Sequence, residues 1–169
     1  MMLLSIITLI LSVIIQSITS NYIGYIYSNL SIFSTIYVLV SLLILKPYFE
    51  NKKKYFLLLI IFGLLTDLLY TNTTIFNTTL FIVCYFISKT FHFIFPYNWL
   101  TVSVSNLICI SFYHIITFIF LNILKYDVFS LSTLSKILQN SIIMTITFSI
   151  IIYLIINFIV KKYELKEVK

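Results

Sequence analysis

The chain contains no alanine and no arginine, and only two residues each of glycine, proline and cysteine. Each absence excludes something. Without alanine no Ala-x-Ala cleavage site exists, and the apolar first segment has no basic residue before it, so it is expected to stay on the chain. Two cysteines are too few for a small secreted fold stapled by disulfides. Cys84 and Cys109 lie in apolar runs, outside any CxxC or CxxH spacing, so no metal or redox site is expected. Charged residues make up 9% of the chain, against about 25% in soluble domains. The carboxylates are Glu50, Asp67, Asp127, Glu164 and Glu167, and no two share an apolar run. Paired acid–base chemistry therefore has no place to form. HExxH, GxSxG and P-loop motifs are absent too, so neither an enzyme nor a bound cofactor is expected.

Hydrophobic residues form 61% of the 169, and the mean hydropathy is +1.10. A soluble fold of this size leaves about a third of its surface wet and cannot hide so much apolar area. The composition fits an all-α integral membrane protein. Isoleucine occurs 33 times and lysine supplies all 11 fixed cations, the bias of an AT-rich gene.

Crossing a hydrocarbon core takes about 20 apolar residues. Six runs qualify or come close: 2–20, 30–45, 55–71, 75–95, 99–121 and 137–160. These runs are apolar all round, which excludes barrel strands with a polar lumen face. The expected architecture is one bundle of six transmembrane helices, a single domain over residues 1–169. The loop 122–136 is long enough for a short interfacial helix. Six spans place Lys46, Lys52, Lys53, Lys54, Lys89, Lys161, Lys162, Lys166 and Lys169 on one side, and Lys125 and Lys136 on the other. Nine against two is a positive-inside bias, so both termini are expected in the cytoplasm. The net charge of +6 is then an orientation signal and not a nucleic-acid footprint. Lys52, Lys53, Lys54, Lys161 and Lys162 are read as contacts to membrane lipid or a cytoplasmic partner.

Asp67 is the one charge well inside a run, about 18 Å along it at about 1.5 Å per residue. Gly63 precedes it by four residues, shares its helix face and lets a neighbouring helix approach. Three readings stand for Asp67: satisfaction by Tyr, Thr or backbone N–H groups, a partner-binding role, or a proton or cation site. In the fifth run Ser103, Asn106, Ile110, His114 and Thr117 share one face, a polar stripe suited to interhelical bonds. His114 is expected level with Asp67, meeting either that carboxylate or a backbone carbonyl. Ser141, Thr145 and Ser149 recur every four residues, taking the packing role that Ala and Gly fill elsewhere.

The stretch Phe62-Gly63-Leu64-Leu65-Thr66-Asp67-Leu68-Leu69-Tyr70-Thr71-Asn72, followed by Asn77-Thr78-Thr79-Leu80-Phe81 and closed by Lys89 and Pro96, resembles the MreD family of bacterial rod shape-determining membrane proteins. The matched pattern is Gly-x-x-x-Asp-Leu-x-Tyr, then an Asn- and Leu-containing start to the next span. The chain departs from it in carrying Ile75 and Phe76 where the family has a glycine. The resemblance implies a non-enzymatic scaffold in the cytoplasmic membrane, with Gly63, Asp67, Tyr70 and Asn77 as its motif residues. The implied partners are an MreC-like protein and, in a larger complex, RodA, a class B penicillin-binding protein and MreB. It also implies the fold of the S components of energy-coupling-factor transporters. A vitamin-transporter subunit is therefore the alternative, with Thr8 and Ser12 in place of the small-residue docking face on its first helix.

Overall fold

The computed structural model describes residues 2–19, 35–49, 51–71, 73–124 and 131–163. Gly24, Glu50, Asn72, Lys125, Asp127, Glu164, Lys166, Glu167 and Lys169 lie outside the described residues. The described residues form six α-helices and no strand. They are α1 (Met2–Ile18), α2 (Tyr37–Leu45), α3 (Lys52–Thr66), α4 (Phe76–Ile94), α5 (Trp99–Ile123) and α6 (Leu131–Lys162). A single 3-10 turn (Lys46–Tyr48) follows α2, and a π turn (Asp67–Thr71) follows α3.

Local chemistry explains three of the boundaries. Asn51 accepts from the Lys53 N–H at 2.9 Å, which starts α3 before the apolar run begins. Asn98 and Thr101 form a reciprocal capping box at the start of α5. Pro96 stands just before it, past the end of α4. The largest departure from the sequence expectation is α6. It begins at Leu131, so the second half of the expected 122–136 loop is helix.

Two helices, Trp99–Ile123 and Leu134–Lys162, are long and apolar enough to cross a membrane. The second run is represented by α2, nine residues or about 13 Å of helix. All nine are buried. α2 lies in the middle of the molecule, packed against α1, α4, α5 and α6. α3, α4, α5 and α6 pack side by side in chain order around it.

Apolar side chains cover much of the outside of this bundle as well as filling its core, and small polar groups are buried among them. On α1 the buried residues are Ser5, Leu9 and Ser12, one face at helical spacing, while Leu3, Ile7, Ile10, Leu11, Ile14 and Ile18 are exposed. Phe93 is 91% exposed and Leu131 76%. The buried small polar groups meet across helices. Ser12 and Ser41 hydroxyls join α1 to α2 at 2.6 Å. Thr35, just before α2, reaches the Thr145 hydroxyl at 3.2 Å and the Ser141 carbonyl at 3.3 Å. Asn106 donates to Ser149 at 3.0 Å, and Ser105 to Ser88 at 3.2 Å. The Cys84 and Cys109 thiols each donate to the other's carbonyl, at 3.5 and 3.4 Å, where α4 and α5 run close. Ser141, Thr145 and Ser149 thus sit where the expected packing face places them.

The contact of α1 with α2 is directly testable. A Ser12→Cys/Ser41→Cys variant should crosslink within the chain under mild oxidation, because the two side chains are already within disulfide reach. An Ile7→Cys/Ser41→Cys control should not, since Ile7 faces outward. Mass analysis of proteolytic fragments reads the difference.

Candidate functional site: a carboxylate that caps a neighbouring helix

The site begins at the end of α3. Gly63 lies against the first turn of α4, and a Cβ at this position would stand 2.9 Å from the Thr78 Cα. No larger residue fits there without moving backbone. One turn later the fully buried Asp67 projects into the same contact. Its Oδ1 accepts the Thr73 hydroxyl at 2.6 Å and the Asn77 N–H at 2.7 Å. Its Oδ2 accepts the Thr78 N–H at 3.0 Å and the Thr78 hydroxyl at 2.8 Å. Asn77 and Thr78 are in the first turn of α4, where backbone N–H groups have no partner within their own helix. Asp67 therefore caps α4 from another helix, and its negative charge meets the positive end of the helix dipole.

The remaining motif residues extend the network. The Tyr70 hydroxyl donates to the Val13 carbonyl at 2.9 Å and lies 2.6 Å from the Ser17 hydroxyl, which ties the π turn to α1. The buried Asn77 side chain accepts a hydrogen bond from the Tyr113 hydroxyl of α5. Gly63, Asp67, Tyr70 and Asn77 thus join α1, α3, α4 and α5 at one end of the bundle. The Asp67 bonds are of the Thr and backbone N–H kind considered from the sequence. Its carboxylate is held as a fully engaged hydrogen-bond acceptor, a structural use of charge.

The stripe on α5 divides. Ser103, Asn106 and Ile110 are buried. Asn106 reaches α6, while Ser103 bonds back to the Trp99 carbonyl at 2.8 Å. Beyond Ile110 the inward position passes to Tyr113, which is buried, whereas His114 and Thr117 are half-buried. Thr117 bonds to the Tyr113 carbonyl at 2.8 Å. His114 and Thr117 line a crevice of about 80 Å³ with Phe118, Leu121, Leu134 and Ile137. His114 is thus turned towards α6, while the Asp67 bonds described above run to the start of α4. The spacing of Asn106, Ile110, Tyr113 and Thr117 is as regular as the one through His114, and in the fold it is Tyr113 that takes the inward position. Thr73 and Thr78 carried no signal of their own beyond closeness to the motif.

At the opposite end, tyrosine hydroxyls serve the carbonyls at the close of α2. Tyr55 donates to Leu42 at 3.0 Å and Tyr97 to Ile44 at 2.7 Å. Tyr97 also meets Tyr48, His92 and Tyr153. The Lys46 ammonium, just past α2, stands 5.1 Å from the Tyr85 ring centroid. Burial pushes Lys46 down to about 8, with the Lys89 charge acting in the same direction. Lys52, Lys53, Lys54, Lys161 and Lys162 are exposed. Among the described residues no three His, Cys, Asp or Glu side chains come together as a metal site.

Removing the cap should be costly. Asp67→Ala leaves two buried N–H groups without their acceptor and should destabilise the protein by about 2–4 kcal/mol. Gly63→Ala should cost about 1–3 kcal/mol through overpacking against Thr78, and Thr79→Ala, whose hydroxyl bonds only within its own helix, should cost little. Thermal unfolding in detergent gives the order. No family model, curated protein or solved structure matches this chain.

Proposed function

We propose that this chain is a multi-pass protein of the bacterial cytoplasmic membrane that acts as a non-enzymatic scaffold of the cell-elongation machinery. In this reading it binds an MreC-like partner and takes part in rod-shape determination and side-wall peptidoglycan synthesis. RodA, a class B penicillin-binding protein and MreB belong to the larger complex. The observation that carries the reading is the motif network. The four residues behind the family resemblance, Gly63, Asp67, Tyr70 and Asn77, all join helices at the same end of the bundle. A scaffold needs a rigid, well-defined surface, and this network fixes one. Beside it lies an open groove of about 570 Å³ lined by Thr73, Thr74, Ile75, Phe76, Thr79 and Phe120. We assign the partner contact to this groove.

Membrane embedding is supported by the exposed apolar side chains, which continue along the shorter helices α1 and α3. Six spans with both termini in the cytoplasm remain the reading that segregates the lysines best. The vitamin-transporter alternative draws less support. Its docking face on α1 requires Ser12 to look outward, whereas Ser12 is buried against Ser41.

Depletion in a rod-shaped host should round the cells, and affinity purification should recover an MreC-like protein. Asp67→Ala should weaken that recovery more than Asp127→Ala at matched membrane levels. Unchanged rods on depletion, with a vitamin co-purifying, reverse the assignment.

A further inference from the structure

We propose that the groove beside the first turns of α3 is a site for one anionic glycerophospholipid. The groove measures about 450 Å³ and is lined by Lys52, Lys53, Phe56, Leu57 and Ile60. Along one side of α3 the order is ammonium groups first, then an aromatic and two aliphatic side chains. Lys53, Leu57 and Ile60 follow 4-3 spacing, and Lys52 and Phe56 a spacing of four, so they form a continuous strip. That order is the order of an amphiphile, phosphate then acyl chain. The strip covers about 12 Å at about 1.5 Å per residue, the upper stretch of one chain.

Charge complementarity points to an anion. The first turn of α3 holds no acidic residue. Asp67, the one carboxylate among the described residues, stands at the far end of α3, engaged with α4. Phe56 meets the Tyr85 ring edge-on at 5.4 Å, and that ring carries Lys46 at 5.1 Å. A third ammonium thus stands behind the groove. Leu57 and Ile60 are exposed, so the apolar half of the groove opens outward, towards hydrocarbon in the membrane reading on which this proposal rests. A soluble phosphate compound has no use for that half.

The test compares lipids retained by the purified full chain, read by native mass spectrometry after mixing with phosphatidylglycerol or phosphatidylcholine of identical acyl chains. The expected result is a preference of roughly thirty-fold for phosphatidylglycerol, set mainly by the two lysines. Lys52→Gln/Lys53→Gln should remove most of it, while Lys125→Gln/Lys136→Gln, the same loss of charge on the lysines assigned to the other side, should leave it. Ile60→Trp keeps both charges, fills the apolar half and should also lower retention. Excess glycerol 3-phosphate should not displace the lipid. Equal loss from both lysine pairs, no preference between the lipids, or displacement by glycerol 3-phosphate overturns the proposal. A carbonate wash of cell membranes separates the two levels of the argument. A chain that washes off refutes the membrane reading and this site with it, whereas a chain that stays but shows no preference refutes only the site.

Discussion

Helix ends govern this bundle. Every α-helix leaves N–H groups at its start and carbonyls at its close without internal partners. Away from water these groups need acceptors and donors from the protein. α2 shows how strict the demand is, because all nine of its residues are buried. Its Val38 N–H meets the Gln16 side chain of α1, and its Leu42 and Ile44 carbonyls meet Tyr55 and Tyr97. α4 meets the same demand at its start through Asp67. Each of these caps comes from outside the helix it serves. At α2 and at the start of α4, the bonds that finish a helix are therefore also bonds that hold helices to one another.

The composition sets how the interior is filled. With no alanine and a single glycine among the described residues, close approach falls to serine, threonine and cysteine. A serine side chain is little larger than alanine's methyl group, but its hydroxyl must be satisfied. The bundle does so by pairing hydroxyls, as in Ser12 with Ser41 and Thr35 with Thr145, or by turning them onto backbone carbonyls. Such bonds are worth about 0.6 kcal/mol each in membrane proteins. They select how helices face each other, while packing of Leu39, Ile44, Leu59 and Phe81 supplies the bulk of the contact.

Much of this was legible in the sequence, for identifiable reasons. Apolar runs and the breaks between them located six helices, because Pro96, Asn98 and the Lys52–Lys54 cluster punctuate strongly. The Gly63–Asp67 spacing announced a close approach and a donor on the neighbour, and both were found. The ends of α2 were not legible. Its caps come from Gln16, Tyr55 and Tyr97, and no local pattern links those positions to it. Tyr113 and His114 are consecutive residues about 100° apart on the helix, on either side of the line through Asn106 and Ile110, so spacing alone does not choose between them. The early start of α6 was hidden by polar residues at 132–136, which resemble a loop until the helix is seen to extend beyond the apolar run.

The trans cap on α4 also bears on how the chain is assembled. Asp67 precedes its acceptor-seeking N–H groups by ten and eleven residues. During synthesis α3 is complete before any of those groups exists. A lone α3 entering hydrocarbon would carry an uncompensated carboxylate, at a cost of about 2.5–3.5 kcal/mol at the bilayer centre and less near its edge. The shortest stretch of chain in which that charge is satisfied runs from α3 through the first turn of α4. In the membrane arrangement proposed above, the unit of insertion is accordingly the hairpin, with the two helices entering the bilayer together.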